Sequence, residues 1–500
     1  MTRYPSLVTH HFYAALVCAA LAGCAVAPSQ RPAAGTEALC YAVFERVDQA
    51  VADAGVGDGM AARVAGFPYL RANRFLASYA REELRAAQFD QWLERMMILG
   101  REARRIELAN LPAASREALE EALQEIGEHA PPRAAVEACA TQLAAADRAR
   151  PERRAELRGA VSVPDDYATW QRIVGLYWIT RIPFASGVRN WHEEVHATFA
   201  QPLEALPVTG RLAAYAPPPG REARTDISAL IARVSANPLG IPEPAGADLE
   251  ALYQAFAPRF VVDSRGAADV PGVVGWGADG LPHVAPRTPV VYRRVSHARY
   301  EGRVLLQLNF AIWFPERPLE AGWDILGGRL DGVLWRVTLA PNGEPWVYDT
   351  IHHCGCYHQF FPTPRAALKP QPDTLDEGAL VPQLLPRADS NARITLRLAS
   401  GTHYLERVVL DATPAGPAVE YVFADDDVLR SLPLNKAERR SVFRPDGIVP
   451  GSERGERWLF WPMGVPEPGA QRQWGRHATA FIGRRHFDDP GLLERYFTLR

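Results

Sequence analysis

Apolar residues recur every third or fourth position through the first third of the chain and every second position through much of its last half. The helical pattern covers residues 37–161, where Leu39-Val43-Val47-Val51 and Leu119-Leu123-Ile126 each line one face. Ala, Leu, Arg and Glu dominate there, and these are strong helix formers. Breaks fall at Gly55-Val56-Gly57, Leu111-Pro112 and Pro131-Pro132, and Ser115 is placed to cap a helix start. The pattern predicts a helical domain of about four to six helices, with the aromatic segment Gly66-Phe67-Pro68-Tyr69-Leu70 packed in its core.

Residues 162–250 lose the periodicity. Pro217-Pro218-Pro219 and Pro242-Glu243-Pro244 punctuate an irregular connector expected to carry short helices near Trp191 and over 227–235. In 251–500 strand signals take over. Residues 303–314 form an apolar, β-prone run, and Val333, Trp335, Val337 and Leu339 alternate with Leu334, Arg336 and Thr338 as in a half-buried strand. Asn342-Gly343 reads as a tight hairpin turn back through 346–351. A second hairpin runs 394–398, turns near Ser400-Gly401 and returns over 404–410, and a helix closes the chain over 490–497. The expected fold class is α+β: an N-terminal helical domain, then a mixed domain with a mainly antiparallel sheet.

Composition narrows the function classes. The 500 residues are 47% hydrophobic and 23% charged, with a net charge of −3. That is ordinary for a folded protein and gives no basic field to attract nucleic acid. No GxSxG, phosphate-binding GxxxxGK[ST] or strand-linked GxGxxG motif is present. Neither nucleic acid nor nucleotide is therefore expected as a partner.

The N-terminus carries an address. Arg3 precedes a short apolar run over 12–23, too short to span a bilayer, that ends in Leu21-Ala22-Gly23-Cys24. This segment resembles the lipobox of bacterial lipoproteins. The resemblance implies that residues 1–23 are a signal peptide, that Cys24 is lipidated and that 24–36 form a tether. Ala25, not aspartate, follows the cysteine; that implies outer-membrane sorting, with the protein facing the periplasm and held to the membrane through its lipid. Cys18 would leave with the signal. In an oxidising periplasm Cys40 and Cys139 are then expected to pair, with two buried thiols as the alternative.

The densest candidate chemistry is His352-His353-Cys354-Gly355-Cys356-Tyr357-His358. Three imidazoles and two thiols suit one zinc or copper ion. A straight strand would set the end members roughly 20 Å apart, so Gly355 must bend the chain to gather them. Asp349, His477 or His486 could complete such a site or act in proton transfer. A Cys354–Cys356 disulfide and a purely structural loop compete with the metal reading. His192-Glu193-Glu194-Val195-His196 matches HExxH, in which His192 and His196 would hold an alternative metal with Glu193 as base. It departs from the metalloproteases it resembles at Glu194 and Phe199, so a third ligand would have to be a downstream carboxylate such as Glu204 or Glu222. The competing reading is an amphipathic surface helix burying Trp191, Val195 and Phe199. In residues 477–489, paired arginines and aspartates flank His477 and His486, which suits anion clamping or a surface ion-pair network. Two functions follow as expectations: a metal-assisted hydrolase of an envelope polymer, or a non-catalytic envelope protein that binds a glycan or protein partner, with the Cys354–Cys356 disulfide as a clip.

Overall fold

The computed structural model describes residues 35–219, 226–320, 322, 324–372, 374–387, 393–411 and 417–500. The lipobox, Cys18, Cys24 and Glu222 lie outside them.

Helices α1 (Thr36–Asp53), α2 (Ala86–Asn110) and α3 (Pro132–Ala149) surround the N-terminal core. The predicted face of α1 is the buried one: Cys40, Val43, Phe44, Val47 and Val51. Cys40 and Cys139 form a disulfide between α1 and α3, with their Cα atoms 5.0 Å apart. The aromatic segment is buried as expected but is not helical. Ala62–Val64 and Phe67–Ala72 form a hairpin turned at Gly66, whose φ of +76° suits glycine. The hairpin lies so close to α2 that a Cβ on Gly100 would collide with the Tyr69 carbonyl oxygen.

The stretch read as an irregular connector is more ordered than its pattern suggests. It holds the 24-residue helix α4 (Tyr177–Ala200), and its strand Arg211–Ala216 belongs to a five-stranded sheet. Pro183 lies inside α4, and of its residues only Ala185 and Phe199 are fully buried. A surface helix of that composition carries a weak apolar period.

The central sheet comprises β1 (Val290–Tyr300), β2 (Arg303–Arg317), β3 (Gly328–Leu339), β4 (Pro345–His352), β5 (Gln359–Pro362) and β6 (Val422–Asp425). Its order is β5-β4-β3-β2-β1-β6. Every pairing is antiparallel except the parallel β1–β6. Asn342-Gly343 makes the β3–β4 turn as read from sequence, with Gly343 at φ +80°. The second predicted hairpin, Ile394–Leu398 with Leu405–Leu410, forms the edge of the five-stranded sheet. The fold is therefore α+β.

One face of the central sheet contributes Leu308, Phe310, Trp335, Val337 and Tyr348 to a core shared with Phe260, Val262, Leu396 and Leu398 of the second sheet. The opposite face was expected to meet solvent. It is instead covered by residues around 474–497, which pack Phe487 against Trp313, Leu334 and Ile351 and Phe497 against Phe360. Arg336 and Thr338, the polar half of the β3 alternation, are consequently buried.

Candidate functional site

Strand β4 ends at His352, and the chain then reverses tightly. The Gly355 N–H donates to the His352 carbonyl (2.8 Å), and the His352 N–H donates to the Cys356 carbonyl (3.0 Å). Gly355 sits at φ +92°, where a Cβ would also crowd the Ala478 carbonyl. Tyr357 follows at φ +62°, a strained value for a bulky residue. The bend that was to gather the heptad disperses it instead.

His353 stacks on Trp313 at 3.9 Å between centroids. It lines a cavity of about 10 Å³ with Asn309, Arg472 and His477, room for one water. Burial pushes the His353 pKa down to about 3. His358 turns to the other side of the turn, where its Nε2 lies 2.9 Å from Asp349; burial lowers its pKa to about 4 despite that carboxylate. Cys354 and Cys356 are free thiols, so the disulfide reading is corrected. In the tight turn the Cys354 sulfur accepts from the Cys356 N–H at 3.4 Å. The heptad thus faces several separate surroundings, and among the described residues no group of three or more His, Cys, Asp or Glu is placed to hold a metal ion.

Asp349 belongs to a polar row that crosses the covered face of the sheet. Arg294 pairs in register with Asn309, Asn309 with Arg336, and Arg336 with Asp349. Arg336 grips Asp349 through two bonds of 2.9 and 2.5 Å and donates a third to the Phe487 carbonyl at 2.6 Å. The three residues proposed from sequence for proton transfer do not meet. Asp349 is taken up by Arg336 and His358. His477 is buried beside His353 and Arg472, which together with burial hold it neutral. His486 lies 3.2 Å from Asp165 and stacks edge-on against Tyr167. Both ring nitrogens of His477 are buried without a hydrogen-bond partner, whereas Asp349 and His486 are held by neighbours of their own.

HExxH does lie on a helix, in the last third of α4. Glu193 and His196 are exposed, Phe199 is buried and Val195 packs against the core. His192 is half-buried, and burial assisted by Arg485 lowers its pKa to about 4. This is the amphipathic-helix arrangement, with Trp191 resting against Tyr357 at 5.3 Å.

The side chains that do converge surround Asp331 at the start of β3, and only His352 and Tyr357 of them were flagged by the heptad. His403 Nδ1 lies 2.9 Å from Asp331 Oδ2, and its Nε2 lies 3.4 Å from Asp269. His352 Nδ1 approaches Asp331 Oδ1 at 3.4 Å, and Arg454 reaches the same oxygen at 3.6 Å. Tyr357 and Tyr404 meet edge-on at 4.6 Å over His352, and Arg317 donates to the Tyr404 hydroxyl at 3.3 Å. Backbone strain concentrates here: Leu330, Tyr357 and His403 have φ of +58°, +62° and +52°, a cost that the surrounding contacts must outweigh.

The ionisation states in this cluster are driven apart. Burial alone would raise Asp331, but His352 and His403 hold it well below the usual carboxylate range. Burial keeps His352 low, partly offset by Asp331. For His403 burial is outweighed by its two flanking carboxylates, and its pKa is raised. Glu456 is buried near Arg454, Arg317 and Asp331, and burial pushes it up to about 7. Asp331, His403 and Glu456 carry no sequence motif. Asp331 comes from a strand, His403 from the turn of a hairpin and Glu456 from the residue before helix Arg457–Phe460, so spacing could not have found them.

No protein-family profile matches the chain, no curated protein matches it in sequence, and no solved structure matches its fold.

Proposed function

We propose that this chain is a lipid-anchored envelope protein that hydrolyses an envelope glycan by proton transfer at the Asp331 cluster. The observation that carries this reading is the cluster itself: Tyr357, which lies within reach of the Glu456 charge, packs edge-on against His352 at 4.9 Å, and the ionisation of the two groups diverges. Glu456 keeps its proton to about pH 7, while His352, held by Asp331, is neutral and able to accept one. Groups pushed apart in this way supply the acid and base of one reaction. His352 takes a proton from water as its oxygen attacks the anomeric carbon, and Glu456 gives its proton to the departing sugar oxygen. Tyr357, Tyr404 and Trp191 offer ring faces suited to stacking on a sugar. No step passes through a bound metal. The periplasmic address comes from the resemblance at Leu21-Ala22-Gly23-Cys24 alone.

A second reading, a non-catalytic binding protein, is favoured by a separate observation. A cleft of about 200 Å³ lies where the N-terminal helices meet the sheet, lined by Phe75, Ile98, Ile241, Ser296, Gln307 and Trp474. Its apolar walls are joined by Arg95, Arg294 and Asp488, a mixture that suits a ligand with both apolar and polar parts.

One experiment separates the readings: dye release from covalently labelled peptidoglycan sacculi by the chain beginning at Ala25. Hydrolysis predicts steady release that falls at least 100-fold in Glu456→Gln and His352→Asn at unchanged melting temperature. Sedimentation with sacculi and no release above the blank would leave the binding reading. Release that survives both substitutions would remove the Asp331 cluster from the mechanism.

A further inference from the structure

Among the described residues no helix is long and apolar enough to cross a membrane, yet one surface is strongly apolar. Helix Thr169–Val174, the first turns of α4 and helix Arg457–Phe460 pack together through Phe184, Phe460, Pro462 and Met463. Facing outward from them are Trp170, Trp178 and Trp458, which are 63%, 66% and 75% exposed, with Ile173, Ile182 and Leu459 around them. Scattered exposed apolar residues are ordinary, but several large ones on three adjoining elements are not.

The chemistry of this face selects its occupant. Tryptophan is favoured where an apolar ring and a polar N–H must sit at one boundary, as at the surface of a bilayer. From Tyr167 to His192 the chain carries Arg172, Arg181 and Arg189 and not one Asp or Glu. Arg172 donates to the Met463 and Gly483 carbonyls and Arg181 approaches Asp376 at 3.8 Å, while Arg189 is exposed and Arg457 lies over the Trp458 ring at 4.9 Å. An apolar face edged by arginines complements anionic lipid. We propose that it docks the folded body directly on the surface of an anionic bilayer, its tryptophans lying at headgroup depth.

The N-terminus supports the same partner, and here the argument rests on the lipobox reading. Ten residues separate Cys24 from Gly35, the first described residue, and the linkage can span at most about 40 Å. A lipid on Cys24 would keep the bilayer within reach and turn weak docking into a local equilibrium.

The test uses the chain from Ala25 onward, which contains every described residue and has no Cys24. It is floated with vesicles of phosphatidylethanolamine and phosphatidylglycerol, and separately with phosphatidylcholine alone. The wild type is expected to float with the anionic vesicles. The triple variant Trp170→Ser, Trp178→Ser, Trp458→Ser should lose at least ten-fold in bound fraction at unchanged melting temperature. A wild type that stays unfloated, or a triple variant that floats equally well, overturns the proposal. So does a wild-type dimer in gel filtration that the triple variant dissolves without any flotation, which would make the face a self-association surface. Because this chain lacks Cys24, failure here is independent of lipidation, which is read separately from palmitate incorporation into the full chain and its Cys24→Ala variant.

Discussion

Replacing Asp349 should damage the sheet far more than removing the entire network around it. Asp349 and Arg336 are each 1% exposed, so water cannot take over from a lost partner. In Asp349→Ala the guanidinium keeps only its bond to the Phe487 carbonyl, and the His358 Nε2 loses its carboxylate. Breaking a buried pair from one side costs about 3–5 kcal/mol because the remaining charge is left uncompensated. Substituting the whole set, Arg336→Met with Asp349→Leu and His358→Phe, removes the need for compensation, and the expected loss is within about 2 kcal/mol of the wild type. Urea unfolding gives the overall shift. Hydrogen exchange of peptides spanning 330–352 localises it to the sheet, which matters in a chain with several cores. A loss below about 1 kcal/mol in Asp349→Ala would refute the claim that the carboxylate neutralises a buried charge. A triple variant as damaged as the single one would show that the covering segment depends on those polar bonds and not on shape.

Other outcomes follow from the same structure. His358 and His353 have folded pKa values of about 4 and 3, below the unfolded value near 6.5; stability they contribute above pH 6.5 is lost as pH falls toward 4, visible as a melting temperature that drops across that window. His403 is raised, so the stability it contributes is complete below pH 6.5 and is lost as pH rises through its folded pKa; His403→Asn should remove that decline in melting temperature above pH 6.5. Cys40→Ser with Cys139→Ser opens a loop of 99 residues, and a loss approaching about 4–5 kcal/mol is expected by thermal or urea unfolding. Gly100→Ala should destabilise by about 1–3 kcal/mol through its clash with the Tyr69 carbonyl, whereas Gly187→Ala, with open space around it inside α4, should stabilise by about 0.5–1 kcal/mol. Thiol titration after non-reducing denaturation should find Cys354 and Cys356 reactive in the chain from Ala25.

The hairpin of β3 and β4 was legible because its turn residues and its alternation are both local. The burial of its polar face was not. Arg336, Thr338 and Asp349 have the spacing of a solvated face, and only a segment more than a hundred residues downstream covers them. Helix α4 was hidden by Pro183 and Gly187 and by its small buried share, whereas the hairpin at Phe67–Ala72 was hidden by its helical neighbours. The heptad was located correctly as a chemically dense strand end. Its side-chain directions were not readable, because they depend on positive φ at Gly355 and Tyr357 and on partners such as Asp331, His403 and Thr479. Ligand density in sequence marks where polar side chains must be satisfied. It does not say whether a metal or other residues satisfy them.

The proposed site and the proposed docking face also constrain one another. Helix α4 carries Trp178 on the apolar surface and, further along, Trp191 against Tyr357. Glu456 immediately precedes the helix that bears Trp458. Seating Trp178 and Trp458 at headgroup depth would therefore fix the elements that border Glu456 and Tyr357. Flexing of α4 or of Arg457–Phe460 would alter the burial of Glu456, and burial is what raises its pKa. Anionic vesicles should then sharpen or shift the alkaline limb of dye release, which hydrolysis through Glu456 places near pH 7. The Trp170→Ser, Trp178→Ser, Trp458→Ser variant should show the vesicle-free profile whether or not vesicles are added. A limb that is identical with and without vesicles in the wild type would mean that docking and chemistry are independent, even if each proposal holds alone.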